Sequence, residues 1–430
     1  MSYKCIMENS KKQIILVFIL ILLILSNIFV LIPFDFNNGD LDVERYNPKG
    51  IRITTFQNLN GTVLVSWFTE ENSQNPIFQY SLDQSFSDNN AISARYFNID
   101  GTFTYSVILN DLIPNSTYYY RIKSDNQNYG ESRIFKSLPV VDSVNFSFIV
   151  YGDSRTLRAP RSELTNEISD FSLIRNLDFS IHSGDIVEDG RIQSQWDNYF
   201  IDTEILYSKI PGIFVEGNHE GGLNTLMYEN LFPGAKYSQR YYSFIFGNCG
   251  FIILNSNGYY DVSIEEEQKD WLNQTLYEYS QLNEYNFVFL HHPLLHNRTK
   301  SYLREDWPPL FERYNVTCVF CGHNHNYERS YPIINQTVID EHTSLIEYNA
   351  TEKYNYRYLS DPIYIVSGGA GAPLYNIHEY DFIAYTNSTY HFCMIDIERS
   401  IIDTSISIEV WAMPEVGRKL TLIDNITIVI

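Results

Sequence analysis

Seven of the ten histidines in this 430-residue chain fall within five short motifs that also carry Asp, Asn and Glu. The motifs are "GDSR" (Asp153, Arg155), "HSGDIVE" (His182, Asp185, Glu188), "GNHE" (Asn218, His219, Glu220), "HHPLLH" (His291, His292, His296) and "GHNH" (His323, His325). Carboxylate, amide and imidazole donors without thiolate suit borderline-to-hard ions such as iron, zinc or manganese. The donor count exceeds what one tetrahedral ion takes, and one aspartate bridging two ions accounts for the surplus. Such pairs sit about 3.5–4 Å apart and clamp the attacking and leaving oxygens in phosphoryl chemistry.

Each motif follows a short apolar run of strand character. "FIVYG" precedes Asp153, "IHSG" precedes Asp185, and "FVEG" precedes Asn218 and His219; "FVFL" precedes His291, and "VFCG" precedes His323. Runs of this kind, alternating with helical stretches at 162–176 and 264–278, predict strands buried on both faces of an α/β fold. In such folds ligands bind beyond the carboxyl ends of the strands, so five strand ends converge on one site.

The preceding part of the chain has a different texture. From about residue 46 to 138, short alternating segments such as "GTVLVSWFTE" and "TYYYRIKSD" are separated by polar turns, which predicts an all-β sandwich. Trp67 in an early strand and the spacing of Leu112, Pro114 and Tyr118 resemble a fibronectin type III module and its tyrosine corner. Residues 139–144 read as a linker, and a catalytic domain is expected over 145–430. At the amino end, residues 14–32 carry no charge and are long enough to cross a bilayer. Lys4, Lys11 and Lys12 precede that run and Asp35, Asp40 and Asp42 follow it, which predicts a signal anchor with the bulk of the chain outside. Residues 1–35 are therefore expected to be tail plus transmembrane helix, and 36–45 a tether. A cleaved signal, giving a secreted protein, is the rival expectation. Ten Asn-x-Ser/Thr sequons fit a glycosylated extracytoplasmic protein.

Composition narrows the partners. A formal net charge of −22 excludes a general nucleic-acid or anionic-membrane surface, while leaving room for one local cationic site. Cys318 and Cys321 form a CxxC on a strand, where positions three apart face opposite sides, so they read as buried filler rather than a chelate.

The motifs, in this order, resemble the calcineurin-like metallophosphoesterases. The "GHNHNYER" form, the preceding fibronectin-like domain, "EEEQKDWLNQTL" and "YIVSGGAGAPLY" are similar to the purple acid phosphatase branch, and the likeness spans about residues 46 to 395. The resemblance implies a four-layer sandwich with Asp185 as the bridging carboxylate. It implies Asp153 and His325 on a first metal, and Asn218, His291 and His323 on a second. It implies His219 as the substrate-contacting imidazole, and attack by metal-bound hydroxide on a small phosphorylated substrate. Phosphomonoester hydrolysis of the acid phosphatase kind is the expected activity, with a phosphodiesterase or nucleotide hydrolase as alternative. A non-catalytic surface-binding protein is a more remote alternative.

Two positions depart from that family. Arg155 stands where most metallophosphoesterases place a metal-binding His, and Glu188 stands where purple acid phosphatases place a tyrosinate. Arg155 has two readings, a phosphate contact or a salt bridge to Glu188, and Glu188 is either an added metal ligand or a supporting group. His292 is a further ligand or a support for one, and His296 is a candidate substrate contact. His182 and Glu220 are expected to serve the loops, Glu328 and Arg329 to pair with each other, and the glycines at 368–371 to form a tight turn near the site.

Overall fold

The computed structural model describes residues 45–429, less 56–60, 221–227, 229–230, 233–239, 258–261, 297–300, 339–344 and shorter gaps. The predicted transmembrane segment, the tether up to residue 44 and the sequon residues Asn60, Asn297 and Asn335 lie outside the described residues.

Two sheets carry the fold. Strands Phe146–Tyr151, Phe179–His182 and Gly212–Phe214 run parallel in one, continued on the far side by Tyr390–Arg399, Thr404–Met413 and Thr421–Val429. The second sheet has Cys249–Ile253, Tyr285–Phe289, Cys318–Cys321 and Ile363–Ser367 in parallel at its centre. Alternation along these strands explains the layering. Phe148 and Val150 face inward onto Phe251, Phe287, Phe289 and Phe320 of the other sheet, whereas Ile149 and Tyr151 face outward onto helices. Cys318 belongs to the inner core and Cys321 to the outer one, as their spacing requires.

Helices cover both outer faces. Arg158–Arg175 and Gln193–Tyr207 pack over the first sheet through Leu164, Ile168, Trp196 and Phe200. Val262–Leu282, with Pro308–Arg313, covers the second through Leu272, Leu276 and Phe311. The result is the expected helix–sheet–sheet–helix sandwich. The helices predicted at 162–176 and 264–278 both begin a few residues earlier, at Arg158 and Val262. The first ends at Asn176, whose left-handed backbone closes the last turn onto Ser172.

The amino-terminal strands form a β-sandwich. Lys49–Thr54, Val63–Thr69, Arg95–Ile99 and Thr102–Leu109 face Ile77–Ser81, Asn90–Ser93, Thr117–Lys123 and Arg133–Lys136 across a core of Trp67, Phe78, Tyr105, Tyr120 and Phe135. The Tyr118 hydroxyl accepts the Ile113 backbone N–H at 2.9 Å, the bond a tyrosine corner requires. This sandwich is joined firmly to the α/β domain. Thr54 pairs with Gly212, making a single twelve-stranded sheet among the described residues. Helix Gln193–Tyr207 spans the junction, where Arg133 pairs with Glu204 at 2.7 Å and buried Arg52 lies 3.8 Å over the Phe200 ring.

Candidate metal centre

The parallel strands end at the same edge, and the chain turns sharply as it leaves them. Asp153, Asp185 and His323 all take positive φ (58°, 52° and 69°), a conformation that side-chain-bearing residues adopt rarely and that clusters at functional sites. Two glycines let the turns approach one another. A Cβ on Gly184 would come within 2.8 Å of His291 Nδ1, and one on Gly217 within 2.1 Å of the Asp185 nitrogen.

Two donor sets meet on Asp185. In the first, ligand atoms of Asp153, Asp185 and His325 lie within 4.8 Å of one another, all buried. His325 Nδ1 donates to the Pro373 carbonyl at 2.8 Å, which leaves the Nε2 lone pair facing Asp153 Oδ1 at 3.6 Å. That carboxylate oxygen is buried without a hydrogen-bond partner, while its twin accepts the His323 backbone N–H at 2.9 Å. Burial raises the Asp153 pKa well above the usual carboxylate range.

The second set is tighter. His291 Nδ1 donates to the Ser183 carbonyl at 2.9 Å, so its Nε2 carries a lone pair when neutral. That nitrogen nevertheless faces Asp185 Oδ1 and Asn218 Oδ1, each at 3.1 Å, and His323 Nδ1 lies 2.9 Å from the same amide oxygen. Electron pairs crowded this closely need a cation between them, either a proton or a metal ion. Without metal the proton takes that place. Burial opposes a charge on His291, but Asp185 outweighs it and raises the imidazole to about 9. Burial and the His291 charge push His323 down to about 3. The residues present thus fit a dinuclear centre of oxygen and nitrogen donors.

The other candidates from the motifs fall in place around this centre. His219 Nδ1 lies 2.6 Å from the Glu188 carbonyl and its Nε2 lies 3.7 Å from Asp185 Oδ2, with the ring partly exposed. His292 joins His291 and His323 in a second cluster of ligand atoms, and its Nδ1 is bonded to Ser256 Oγ at 2.9 Å. Arg155 Nη1 pairs with Glu188 Oε2 at 2.6 Å, and Thr156 Oγ1 also donates to that oxygen. The guanidinium reaches further: Nη2 lies 3.3 Å from His325 Nε2, and Nε lies 3.4 Å from Asp185 Oδ2. His182 bonds locally to Ser154 Oγ at 2.9 Å, and the turn at 368–372 packs on Asp153, whose carbonyl accepts the Ala372 N–H.

His296 sits apart from both sets. Its Nε2 lies 2.7 Å from Glu328 Oε2, and it lines a neighbouring cavity of about 240 Å³ with Asn324, Tyr375 and Tyr380. The Glu328–Arg329 pairing expected from sequence does not form. Adjacent strand residues point to opposite faces, so Glu328 meets His296 while Arg329 meets Asp424 at 2.7 Å. Two supports had no signal in sequence beyond their place near a motif. They are Tyr375, stacked on the His325 ring with centroids 4.0 Å apart, and Ser256, whose hydroxyl accepts the His291 and His292 backbone N–H groups.

A two-sheet sandwich with such donors at its strand ends has the architecture of the metallophosphoesterases. Residues 146–327 match the family described as Calcineurin-like phosphoesterase, and residues 48–137 match the Purple acid Phosphatase N-terminal domain. The chain thus carries a calcineurin-like phosphoesterase domain preceded by a purple acid phosphatase amino-terminal domain. It is 26% identical over 317 residues to "Probable inactive purple acid phosphatase 27" of Arabidopsis thaliana, covering 64% of this chain and 50% of that relative. It thus spans about half the length of the first curated relatives it matches. "Purple acid phosphatase 5" of the same plant is 24% identical over 385 residues, covering 82% of this chain and 88% of its own length. Among solved structures, purple acid phosphatase PPD1 from yellow lupin shares the fold with a TM-score of 0.73 at 19% identity, covering 89% of this chain and 74% of that one.

Proposed function

We propose that this chain is a dinuclear metal-dependent phosphohydrolase acting on phosphomonoesters. The observation that carries the reading is the meeting of two ligand sets on one buried carboxylate, Asp185. The first is Asp153 and His325; the second is Asn218, His291 and His323. Asp153, Asp185 and His325 with Asn218, His291 and His323 would hold two cations, which would supply Lewis-acid charge and lower the pKa of water at the site. All-oxygen-and-nitrogen donors fit iron, zinc or manganese. His219 holds its Nδ1 proton toward the Glu188 carbonyl, so Nε2 faces the site; in the imidazolium form Nε2 carries a second proton, which it would deliver to the leaving oxygen. The short strand-end turns fix Asp153, Asp185 and His323 before substrate arrives, and that preorganisation favours catalysis.

The test is parallel assay of a phosphomonoester and a phosphodiester with wild type, Asp185→Asn and His323→Ala. Loss of turnover by about 10²-fold or more in both variants supports the reading. Unchanged turnover in both removes it. The cavity bearing Tyr375 and Tyr380 favours one second reading, a leaving group with an aromatic base, as in nucleotides or diesters. Faster turnover of the diester would replace the first reading with this one. Three relatives carry "Probable inactive" in their names, so absence of turnover with metal bound would leave a binding role.

We also place the protein at the cell surface, anchored by residues 14–32, with residues 46–138 and 145–430 as its two outer domains. The charge asymmetry about that apolar run and the ten sequons support this placement. Protease protection of the amino-terminal tail, with accessible outer domains, would test it.

A further inference from the structure

We propose that Arg155 is a built-in competitor for the first cation, so that the two ligand sets load unequally. The inference rests on the dinuclear reading of the site. His325 Nδ1 is committed to the Pro373 carbonyl, which leaves one lone pair on Nε2. Arg155 Nη2 points at that lone pair from 3.3 Å, and Arg155 Nε lies 3.4 Å from Asp185 Oδ2. One imidazole lone pair serves either an N–H donor or a metal ion, never both. Guanidinium does not give up its charge, so a cation entering the set meets a like charge as well as a blocked ligand.

Among the described residues, no guanidinium or ammonium points between the donors of the second set. His291 Nε2, Asn218 Oδ1, His323 Nδ1 and Asp185 Oδ1 face one another directly. This set fills first.

Release of Arg155 has a route. Its partner Glu188 is 46% exposed at the rim of the site, so the guanidinium can turn outward with it. An arriving phosphate offers that guanidinium two oxygens in a bidentate geometry. Phosphate binding therefore frees His325 Nε2, and by linkage it tightens the first cation. Arg155 takes both roles left open by sequence, Glu188 partner at rest and phosphate contact when the first cation is bound.

The experiment titrates the full metal-stripped chain with Mn(II), alone and with inorganic phosphate, in wild type, Arg155→Gly and Arg155→Ala. Bound ions are counted by equilibrium dialysis with elemental analysis, and spin coupling is followed by electron paramagnetic resonance. In wild type, one tight ion and a second about 10- to 100-fold weaker are expected, with phosphate narrowing the gap. In both variants, two ions of similar affinity and a coupled-pair spectrum are expected, with little response of the gap to phosphate. Equal affinities in wild type, or the same gap in both variants, would overturn the proposal while leaving the phosphohydrolase reading intact. Failure of every protein to bind Mn(II) would overturn both.

Discussion

Glu220 Oε2 accepts the backbone N–H of Asp185 at 2.9 Å, and Oε1 takes those of Ile186 and Val187 at 2.8 and 3.0 Å. The Gly217 N–H adds a fourth donor at 2.9 Å. Burial and the neighbouring Asp185 raise the Glu220 pKa, against four donors that hold the ionised form. One buried carboxylate thus pins the turn that presents Asp185 to both ligand sets. Glu220→Gln puts an NH₂ against N–H donors and frees that turn. Metal affinity is expected to fall by about 10- to 100-fold, measured by competition with a chelator. Affinity equal to wild type would show that the turn holds itself.

A second buried carboxylate supports the fold rather than the site. Asp424 Oδ2 accepts from Arg329 Nε at 2.7 Å and from the Tyr327 hydroxyl at 2.8 Å, and all three residues are buried. Asp424→Ala removes the buried carboxylate that Arg329 and Tyr327 share, and urea unfolding should show a loss of about 3–5 kcal/mol. A loss under about 1 kcal/mol, the scale of an exposed pair, would mean that the other contacts of Arg329 suffice to hold it.

Acid sensitivity should come in part from His391. It is fully buried, its Nδ1 bonded to the Thr389 carbonyl at 3.0 Å, and burial pushes its pKa down to about 4. The unfolded imidazole titrates near 6.5, so below about that pH the unfolded chain binds a proton the folded chain refuses. The contribution of His391 is full above about pH 6.5 and is lost progressively down to about pH 4, by at most about 3 kcal/mol. Unfolding of His391→Gln at pH 7 and pH 4.5 should show a smaller drop than wild type. An equal drop would assign the acid sensitivity to other groups.

Colour provides a separate check. Glu188 occupies the position where the related phosphatases place a tyrosinate, and it is paired with Arg155. Tyr375 stacks on the His325 ring at 27°, so it offers that residue a ring face rather than a phenolate oxygen. Iron-loaded protein is expected to lack the strong visible band of a tyrosinate complex. Absorption spectra of the loaded chain decide this, and an intense purple band would place a tyrosine on the metal.

Sequence alone determined the layered α/β architecture, the sandwich before it and which polar residues stand at the strand ends. The reason is local. Apolar runs with period-two alternation declare strands, and a polar residue just past such a run lies at the sheet's carboxyl edge wherever the strand is placed. Sequence likewise separated Cys318 from Cys321, because strand periodicity alone sends them to opposite faces. Partnerships across the fold were not legible. Arg329 and Asp424 lie 95 residues apart and meet only because their strands belong to facing sheets. His296 shares a motif with His291 yet meets Glu328 instead of the ligand sets, a partner 32 residues further along the chain. The "GDSR" turn shows the division most sharply. Its aspartate was assigned from position, whereas Arg155 gained a role only once folding set it between Glu188, His325 and Asp185. A side chain of that length has many reachable partners, and only packing selects among them.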